Sequence, residues 1–333
     1  MTNTDNNNFQ DFSLLGGSPI KMMIEAQQLT KRYSKNSSDE PALASIDLSI
    51  SEGQLYGLVG PDGAGKTSLL RILATVMEPT SGSAHLAGFD VMKQSEDVRA
   101  LLGYMPQAFS LYPDLTVMEN LRFFADINGV SAQKQKTRIA ELLEFARLTE
   151  FTARRSENLS GGMRKKLALA CALVHEPKIL LLDEPTTGVD PVSRRELWRL
   201  LSKVIQQGVT VLVSTPYMDE AERCNTVSII NQGRILISGA PAELEAQLPF
   251  KIVEVKAKPR RALRAMADRT EGVISWRAVG DRLRLSVSDP AKVMPRIEAE
   301  LKKDGAEISI LREASLLMED VFIHLVEKQE AQS

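Results

Sequence analysis

The chain has 333 residues, 43% of them hydrophobic and 25% charged, which is typical of a globular protein with one large domain or two. Its 41 Lys and Arg against 43 Asp and Glu give a net charge of -2, which argues against nucleic-acid binding through bulk positive charge and leaves only a local basic patch open. We therefore expect no nucleic-acid partner. The two cysteines, Cys171 and Cys224, cannot by themselves form a disulfide framework or a structural zinc site, so we expect both to be buried.

No apolar run reaches the roughly 18–20 residues that are needed to span a bilayer. Residues 1–22 are polar and Asn-rich, and they lack the basic start and apolar stretch of a secretory signal. We expect them to form a disordered tail. The sequence thus predicts a cytoplasmic protein whose membrane role, if it has one, comes through a partner.

The first predicted element is an antiparallel sheet, because residues 23–51 alternate between apolar and polar side chains. Residues 54–59 form a short apolar strand that runs into a glycine-rich loop, and residues 66–77 read as a helix. From about residue 96 to residue 176, apolar side chains recur mostly at helical spacing, which predicts a helical subdomain.

Strand character then returns. Residues 179–182 and 209–213 are continuous apolar runs, as expected of parallel strands buried on both faces, and residues 193–206 form a helix between them. Two further short strands flank the hairpin-like turn Asn231-Gln232-Gly233. We expect this core to end near residue 248. From residue 251 to residue 333 the order βαββαβ, with a final helix, predicts a small accessory domain of the ferredoxin-like α+β type.

The glycine-rich loop reads Gly-Pro-Asp-Gly-Ala-Gly-Lys-Thr from position 60 to position 67, which fits the phosphate-binding motif G-x-x-x-x-G-K-[ST] in full. Its glycines let the backbone approach phosphate closely, and successive N–H groups with the following helix N-terminus face the anion. We expect Lys66 to bridge the β- and γ-phosphates and the Thr67 hydroxyl to ligate Mg²⁺. The residues predicted to contact ATP here are Gly60, Asp62, Gly63, Ala64, Gly65, Lys66, Thr67 and Ser68.

Two acids follow the buried strand at 179–182. Asp183 ends the strand, so its carboxylate projects to the carboxyl edge of the sheet, where ligands of α/β folds collect. We predict that Asp183 binds Mg²⁺, partly through water, and that Glu184 orients and polarises the attacking water. The alternative is that the pair caps a helix at the end of the strand.

The segment Leu159-Ser160-Gly161-Gly162-Met163 resembles the signature of ATP-binding cassette (ABC) ATPases. Ser160 can cap the helix that follows it, while Gly161 and Gly162 keep the surface bare enough for a phosphate to touch the backbone. The resemblance implies that this turn contacts the γ-phosphate held by the glycine loop of a second subunit. An ordinary helix cap without a ligand is the alternative.

Further motifs match the same family in order. The resemblance implies that Tyr33 stacks on adenine, although aromatic packing in a core is the alternative. It implies that Gln107 reaches Mg²⁺ and the attacking water, where a surface glutamine is the alternative. Asp190, in Gly188-Val189-Asp190, matches a loop that crosses the dimer interface to the partner's ATP. The likeness covers residues 23–248 and implies a P-loop NTPase cassette of the α/β class, with a parallel core sheet, an antiparallel β subdomain and a helical subdomain.

Methionine at Met163, where glutamine is usual, is similar to the daunorubicin/doxorubicin-type multidrug exporter ATPases. Residues 217–222 and residues 318–322 point to the same branch. The resemblance implies an ATP-driven ABC-2-type exporter subunit that works with a separately encoded permease, on the cytoplasmic face of the inner or plasma membrane.

Pro216 departs from the family pattern, which has a histidine after Ser214-Thr215 that contacts the γ-phosphate. Proline offers neither a side-chain donor nor an N–H group. We therefore expect ATP to bind but to be hydrolysed slowly at this chain's own site. A homodimer would carry the defect twice and a heterodimer with an intact ATPase only once, so a heterodimer is favoured.

Three functions stay open at this point: a hydrolysing exporter subunit, a weakly hydrolysing cassette that completes the site of a second ATPase, and a soluble cassette acting on ribosomes or DNA. Proteins of the third kind usually carry tandem cassettes or long coiled-coil inserts, and neither is visible in this sequence. The transported cargo cannot be read from the sequence, because the permease contacts it.

Overall fold

A computed structural model describes residues 21–33, 40–108 and 110–330. The predicted disordered tail, residues 1–22, lies outside the described residues except for its last two positions. Among the helices that are described, none has both the length and the apolar character needed to cross a bilayer.

Within the described ranges the strands are β1 (Met22–Lys31), β2 (Leu43–Ser51), β3 (Leu55–Val59), β4 (Ser81–Leu86), β5 (Phe89–Asp90), β6 (Leu102–Met105), β7 (Ile179–Asp183), β8 (Thr210–Thr215), β9 (Thr226–Asn231), β10 (Arg234–Gly239), β11 (Lys251–Lys258), β12 (Val273–Val279), β13 (Arg282–Val287) and β14 (Glu307–Ala314). The α-helices are α1 (Lys66–Leu73), α2 (Ser95–Leu101), α3 (Val117–Ile127), α4 (Ala132–Ala146), α5 (Gly161–Ala172), α6 (Pro191–Gln206), α7 (Met218–Ala221), α8 (Pro241–Ala246), α9 (Arg260–Arg269), α10 (Pro290–Lys303) and α11 (Met318–Glu330). Short 3₁₀ turns cover Thr149–Phe151 and Ser156–Asn158.

The central sheet has the strand order β10-β9-β3-β8-β7-β6, and all its neighbouring strands are parallel except β10, which runs antiparallel to β9. Every residue of β3, β7 and β8 is buried, which for β7 and β8 confirms the prediction drawn from their continuous apolar runs. Parallel strands end at the same edge of a sheet. The loops that follow β3, β6, β7 and β8 are therefore gathered along one edge.

The predicted antiparallel sheet is also present and is larger than residues 23–51, with the order β2-β1-β4-β5. In β2 the residues Ile46, Leu48 and Ile50 are buried while those between them are exposed. This apolar face shares a core with Leu69 and Leu73 of α1. The helix that follows the phosphate loop is thus packed between the two sheets.

The helical subdomain was predicted to begin at about residue 96, which is too early in the chain. Residues 102–105 are not helical but form β6, which pairs in parallel with β7 and completes the central sheet. Four residues, three of them buried, cannot reveal by periodicity whether they form a strand or a helical turn. The helix predicted over residues 66–77 is also shorter, since α1 ends at Leu73 and Thr75 has a positive φ of 60°.

The C-terminal sheet has the order β12-β13-β11-β14, and each neighbouring pair is antiparallel. Helices α9 and α10 share a separate apolar core with this sheet, built around residues such as Val253, Leu263 and Ile297. This is the ferredoxin-like βαββαβ arrangement that the sequence predicted.

Helix α11 joins this sheet to the rest of the molecule. Met318 and Val321 are buried in the same core as β3, β7 and α5. On the other side, Asp320 accepts hydrogen bonds from Arg277 at 2.6 Å and from Arg284 at 3.0 Å, both from the C-terminal sheet. Helix α11 therefore contributes apolar contacts to the core around β3, β7 and α5, and a buried ion pair to the C-terminal sheet.

Both cysteines are buried, as predicted. Burial raises the pKa of each thiol, and the nearby Glu220 carboxylate adds to the effect at Cys224, whose pKa reaches about 12. The thiols therefore stay protonated and act as small apolar side chains.

Candidate nucleotide site

The phosphate-binding loop leads from β3 into α1 and is packed tightly against its own chain. A Cβ at Gly60 would lie 2.1 Å from the Ile230 carbonyl oxygen. Gly65 has a φ of 106°, and a Cβ there would lie 2.4 Å from the Ala42 carbonyl oxygen. These two glycines are thus required by packing and backbone conformation, in addition to the predicted close approach of phosphate.

The Lys66 ammonium group lies within this loop. Lys66 is 3% exposed, and its Nζ donates to the carbonyl oxygens of Gly60 and Pro61, each at 2.9 Å. The same nitrogen is 3.3 Å from Glu184 Oε1. The structure therefore brings together the predicted phosphate-binding lysine and the predicted catalytic carboxylate, which stand far apart in the sequence.

Asp183 is placed where a hard cation would find oxygen ligands. Its Oδ1 accepts from Thr67 Oγ1 at 3.1 Å and from Ser214 Oγ at 2.7 Å, whereas its Oδ2 is buried and has no hydrogen-bond partner. An orphaned buried carboxylate oxygen beside a hydroxyl group fits Mg²⁺, which prefers such oxygen ligands. No group of three or more His, Cys, Asp or Glu that could hold a metal occurs in the described residues, so phosphate oxygens and water would complete the coordination.

Glu184 stands in a strained position, with a φ of 48° that non-glycine residues rarely adopt. Its Oε2 accepts from Gln107 Nε2 at 2.9 Å and from Thr187 Oγ1 at 3.2 Å, and its backbone N–H donates to Ser214 Oγ at 3.1 Å. These contacts tie both acids into the site, in place of the helix-capping alternative. Gln107 lies beside the Glu184 carboxylate. Its predicted contact with Mg²⁺ and the attacking water stays a prediction.

Three contributors were missed by sequence reasoning: Ser214, Thr187 and Lys165. Lys165 is buried on the signature helix α5, and its Nζ lies 3.4 Å from the backbone oxygens of both Gln107 and Glu184. Burial lowers the pKa of the Lys165 ammonium group, against the opposing effect of the Asp183 and Glu184 charges. In the sequence, the only signal that Lys165 belongs to the site was its unusual position on an apolar helix face.

Tyr33 is 63% exposed, which excludes the alternative that its ring packs in a core. Its hydroxyl group is 2.9 Å from Ser68 Oγ at the start of α1. The exposed ring thus stands next to the phosphate loop with a face available for stacking.

The signature segment begins α5. Ser160 caps this helix, its Oγ accepting from the Met163 N–H at 3.2 Å. A Cβ at Gly162 would lie 2.3 Å from Ser193 Oγ, so glycine is needed there for packing against α6, a reason that the sequence did not reveal. At Gly161 the nearest atom to an added Cβ is the Gly188 carbonyl oxygen at 3.7 Å, which leaves this position open.

The Asp190 carboxylate is already used within its own chain. It accepts from the N–H groups of Val192 and Ser193, each at 3.0 Å, and so caps α6. Hydrogen bonds from Ser193 hold the pKa of Asp190 below its usual range. The Asp190 carboxylate, which was predicted to contact a partner's ATP, therefore also has a competing role as the cap of α6.

Pro216 follows β8 directly beside the phosphate loop. The carbonyl oxygen of the preceding Thr215 accepts from the Gly60 N–H at 3.3 Å. Pro216 and Tyr217 also line an open cavity of about 310 Å³, together with Glu319 of α11. The position expected to carry a histidine is thus at the edge of the site.

A phosphate loop, a strand-end acid pair and a helix-capping Ser-Gly-Gly turn on one α/β scaffold define a nucleotide-binding cassette. Residues 43–187 match the ABC transporter family. The chain is 38% identical over 313 residues to the Nod factor export ATP-binding protein I of Cupriavidus metallidurans, and the match covers 92% of this chain and 98% of that protein. The chain therefore belongs to the ABC transporter family.

A second relative is more similar but longer. The chain is 51% identical over 222 residues to the probable multidrug ABC transporter ATP-binding protein YbhF of Escherichia coli (strain K12), and the match covers 67% of this chain but only 38% of that protein. Among solved structures, the dimeric post-hydrolysis state of the ATP-binding cassette MJ0796 bound to ADP and Pi superposes with a TM-score of 0.61 at 28% identity. It covers 66% of this chain and 98% of that one.

Proposed function

We propose that the chain is the ATP-binding and ATP-hydrolysing subunit of an ABC-2-type exporter. The observation that supports this most directly is the convergence of Lys66, Thr67, Asp183, Glu184 and Gln107 at one sheet edge. The cassette would comprise residues 23–248, and residues 251–333 would form an accessory domain.

In this proposal each side chain has a defined task. Lys66 and the loop N–H groups hold the phosphates, and phosphate oxygens replace the Glu184 contact of Lys66. Thr67, Asp183 and Gln107 would hold Mg²⁺, which neutralises charge on the phosphate oxygens when it is bound. Glu184, released from Lys66, accepts a proton from the water that it orients.

The proposed partners are a permease and a second cassette. Export is supported by two relatives, one a probable multidrug ABC transporter ATP-binding protein and the other a Nod factor export ATP-binding protein. We place the chain in the cytoplasm, bound to the permease at the cytoplasmic face of the inner or plasma membrane. The signature of this chain, at Ser160, Gly161 and Gly162, would contact ATP held on the glycine loop of the second cassette. The signature of the second cassette would in turn contact ATP held on this chain's loop.

Pro216 favours a second candidate function, in which this cassette binds ATP, hydrolyses it slowly and completes the site of a more active partner. The position lies beside Gly60 yet supplies no donor to the γ-phosphate. A heterodimer then carries the defect in only one of its two sites.

Affinity purification of the full chain from membranes of its source, in mild detergent, tests the assembly. We expect mass spectrometry to find a multi-span permease and a second cassette that has histidine at the position of Pro216. Recovery of this chain with a permease alone would contradict the heterodimer. Recovery with no membrane protein, while ATP still binds, would contradict the exporter.

A further inference from the structure

Glu220 is a buried carboxylate with no place in the roles described so far. It lies on α7 and is 0% exposed. Its Oε1 accepts from Arg194 Nε at 2.6 Å and from Trp198 Nε1 at 3.1 Å, and its Oε2 accepts from Thr215 Oγ1 at 2.6 Å. A buried carboxylate is stable only when it is paired and hydrogen-bonded, so these contacts tie α6, α7 and β8 together.

The segment that these contacts hold is the turn of residues 215–217. The Thr215 hydroxyl group donates to Glu220 and accepts from the Tyr217 N–H at 3.1 Å. The Arg194 guanidinium group lies 4.5 Å from the centroid of the Tyr217 ring and donates to both carboxylate oxygens of Asp219, at 2.9 and 3.0 Å. The turn is therefore fixed from both sides.

This turn adjoins the metal side of the nucleotide site. The Gly60 N–H donates to the Thr215 carbonyl oxygen, and the preceding Ser214 donates to Asp183. A shift of the turn would consequently displace Ser214 and, through it, the carboxylate that we expect to hold Mg²⁺.

We propose that Arg194 and Glu220 are positioning residues that set the Asp183 side of the site for Mg²⁺-bound ATP, through Thr215 and Ser214. The inference rests on the proposed function, because it requires that the loop at Lys66 binds nucleotide. The loop N–H groups serve ATP and ADP alike, whereas the Asp183 side serves the metal and the γ-phosphate. Loss of the pair should thus weaken binding of a triphosphate more than binding of a diphosphate.

The double variant Arg194→Met with Glu220→Gln tests this in the full-length chain. Removing both charges leaves no unpaired buried ion, so we expect a melting temperature close to that of the wild type. In the presence of Mg²⁺, we expect the Kd for a non-hydrolysable ATP analogue to rise about tenfold. This corresponds to the loss of roughly one hydrogen bond to a charged group. The Kd for ADP in the presence of Mg²⁺ should rise less, because the γ-phosphate is absent, and the Kd for ADP without Mg²⁺ should be unchanged.

Arg223→Met is the matched control, because Arg223 lies 5.7 Å from the Trp198 ring of the same cluster, whereas the guanidinium group that binds Glu220 and stacks on Tyr217 belongs to Arg194. It should bind both nucleotides like the wild type. Unchanged affinity of the double variant for the triphosphate, or equal weakening of both nucleotides, would overturn the positioning role alone. A wild-type chain that binds neither nucleotide would overturn the proposed function as well.

Discussion

Replacing Pro216 with histidine is expected to raise ATP turnover at this chain's own site by roughly 10²–10³-fold, the effect typical of one transition-state contact. The backbone at this position is already held in place, because the Thr215 carbonyl oxygen accepts from the Gly60 N–H and the Thr215 hydroxyl is fixed by Glu220. Lys66 and Glu184 are in contact with each other, and Lys66 also donates to Gly60, the residue that Thr215 contacts. The side-chain donor is the part that proline cannot supply.

Two controls separate the imidazole from other effects. Pro216→Ala removes the ring without adding a donor and should remain as slow as the wild type. Pro216→His combined with Glu184→Gln should lose the gain, since the water is then no longer oriented. The rates are to be measured in the assembled complex with each site shown to be occupied. Equal turnover of wild type and Pro216→His would contradict the role given to position 216.

Lys66→Met is expected to abolish ATP binding and to lower the free energy of unfolding by about 3 kcal/mol, the cost of leaving one buried ion without its partner. The Lys66 and Glu184 side chains are only 3% and 5% exposed, and the substitution leaves Glu184 with two neutral donors, Gln107 and Thr187. Methionine keeps most of the buried volume, so the loss reports the charge together with its hydrogen bonds to Gly60 and Pro61. Denaturant unfolding and titration with ATP measure the two effects.

A second variant shows whether the two effects share one cause. Lys66→Met with Glu184→Gln removes both charges and should recover most of the lost stability, yet it should still bind no ATP. If the single and double variants are equally stable, the ion pair is not what stabilises the loop. ATP binding by Lys66→Met with wild-type affinity would contradict the role of the lysine.

The parts of the site that could be predicted are those with a local signal. The motif at residues 60–67 and the continuous apolar strand at 179–182 each carry their information within a few neighbouring residues. Parallel pairing then places the ends of β3, β7 and β8 at one edge, so the meeting of Lys66, Asp183 and Glu184 follows from strand type alone.

The parts that could not be predicted depend on contacts between distant segments. Lys165 touches the backbone of Gln107, 58 residues away in the sequence, and nothing in the local pattern of α5 indicates that partner. The packing of Gly162 against Ser193 is another such contact, because it requires the relative placement of α5 and α6. The strand β6 was missed for a different reason, since four apolar residues are too few to show a period.

In the second candidate function, this chain contributes its signature to another subunit's ATP more than it hydrolyses its own. Gly161 allows a direct comparison, because it has room for a side chain and stands in the first turn of α5, where an acid also favours the helix. Gly161→Asp should therefore fold but repel a phosphate, while Gly161→Asn has the same shape without the charge.

The deciding measurement is the steady-state ATPase rate of the assembled complex that carries Glu184→Gln, Gly161→Asp or Gly161→Asn in this chain. We expect Glu184→Gln to retain most of the rate. Gly161→Asp should lower it by roughly 10²-fold, as like charges brought together cost several kcal/mol, and Gly161→Asn should lower it far less. Loss of nearly all activity in Glu184→Gln, with Gly161→Asp as active as the wild type, would contradict the division of labour.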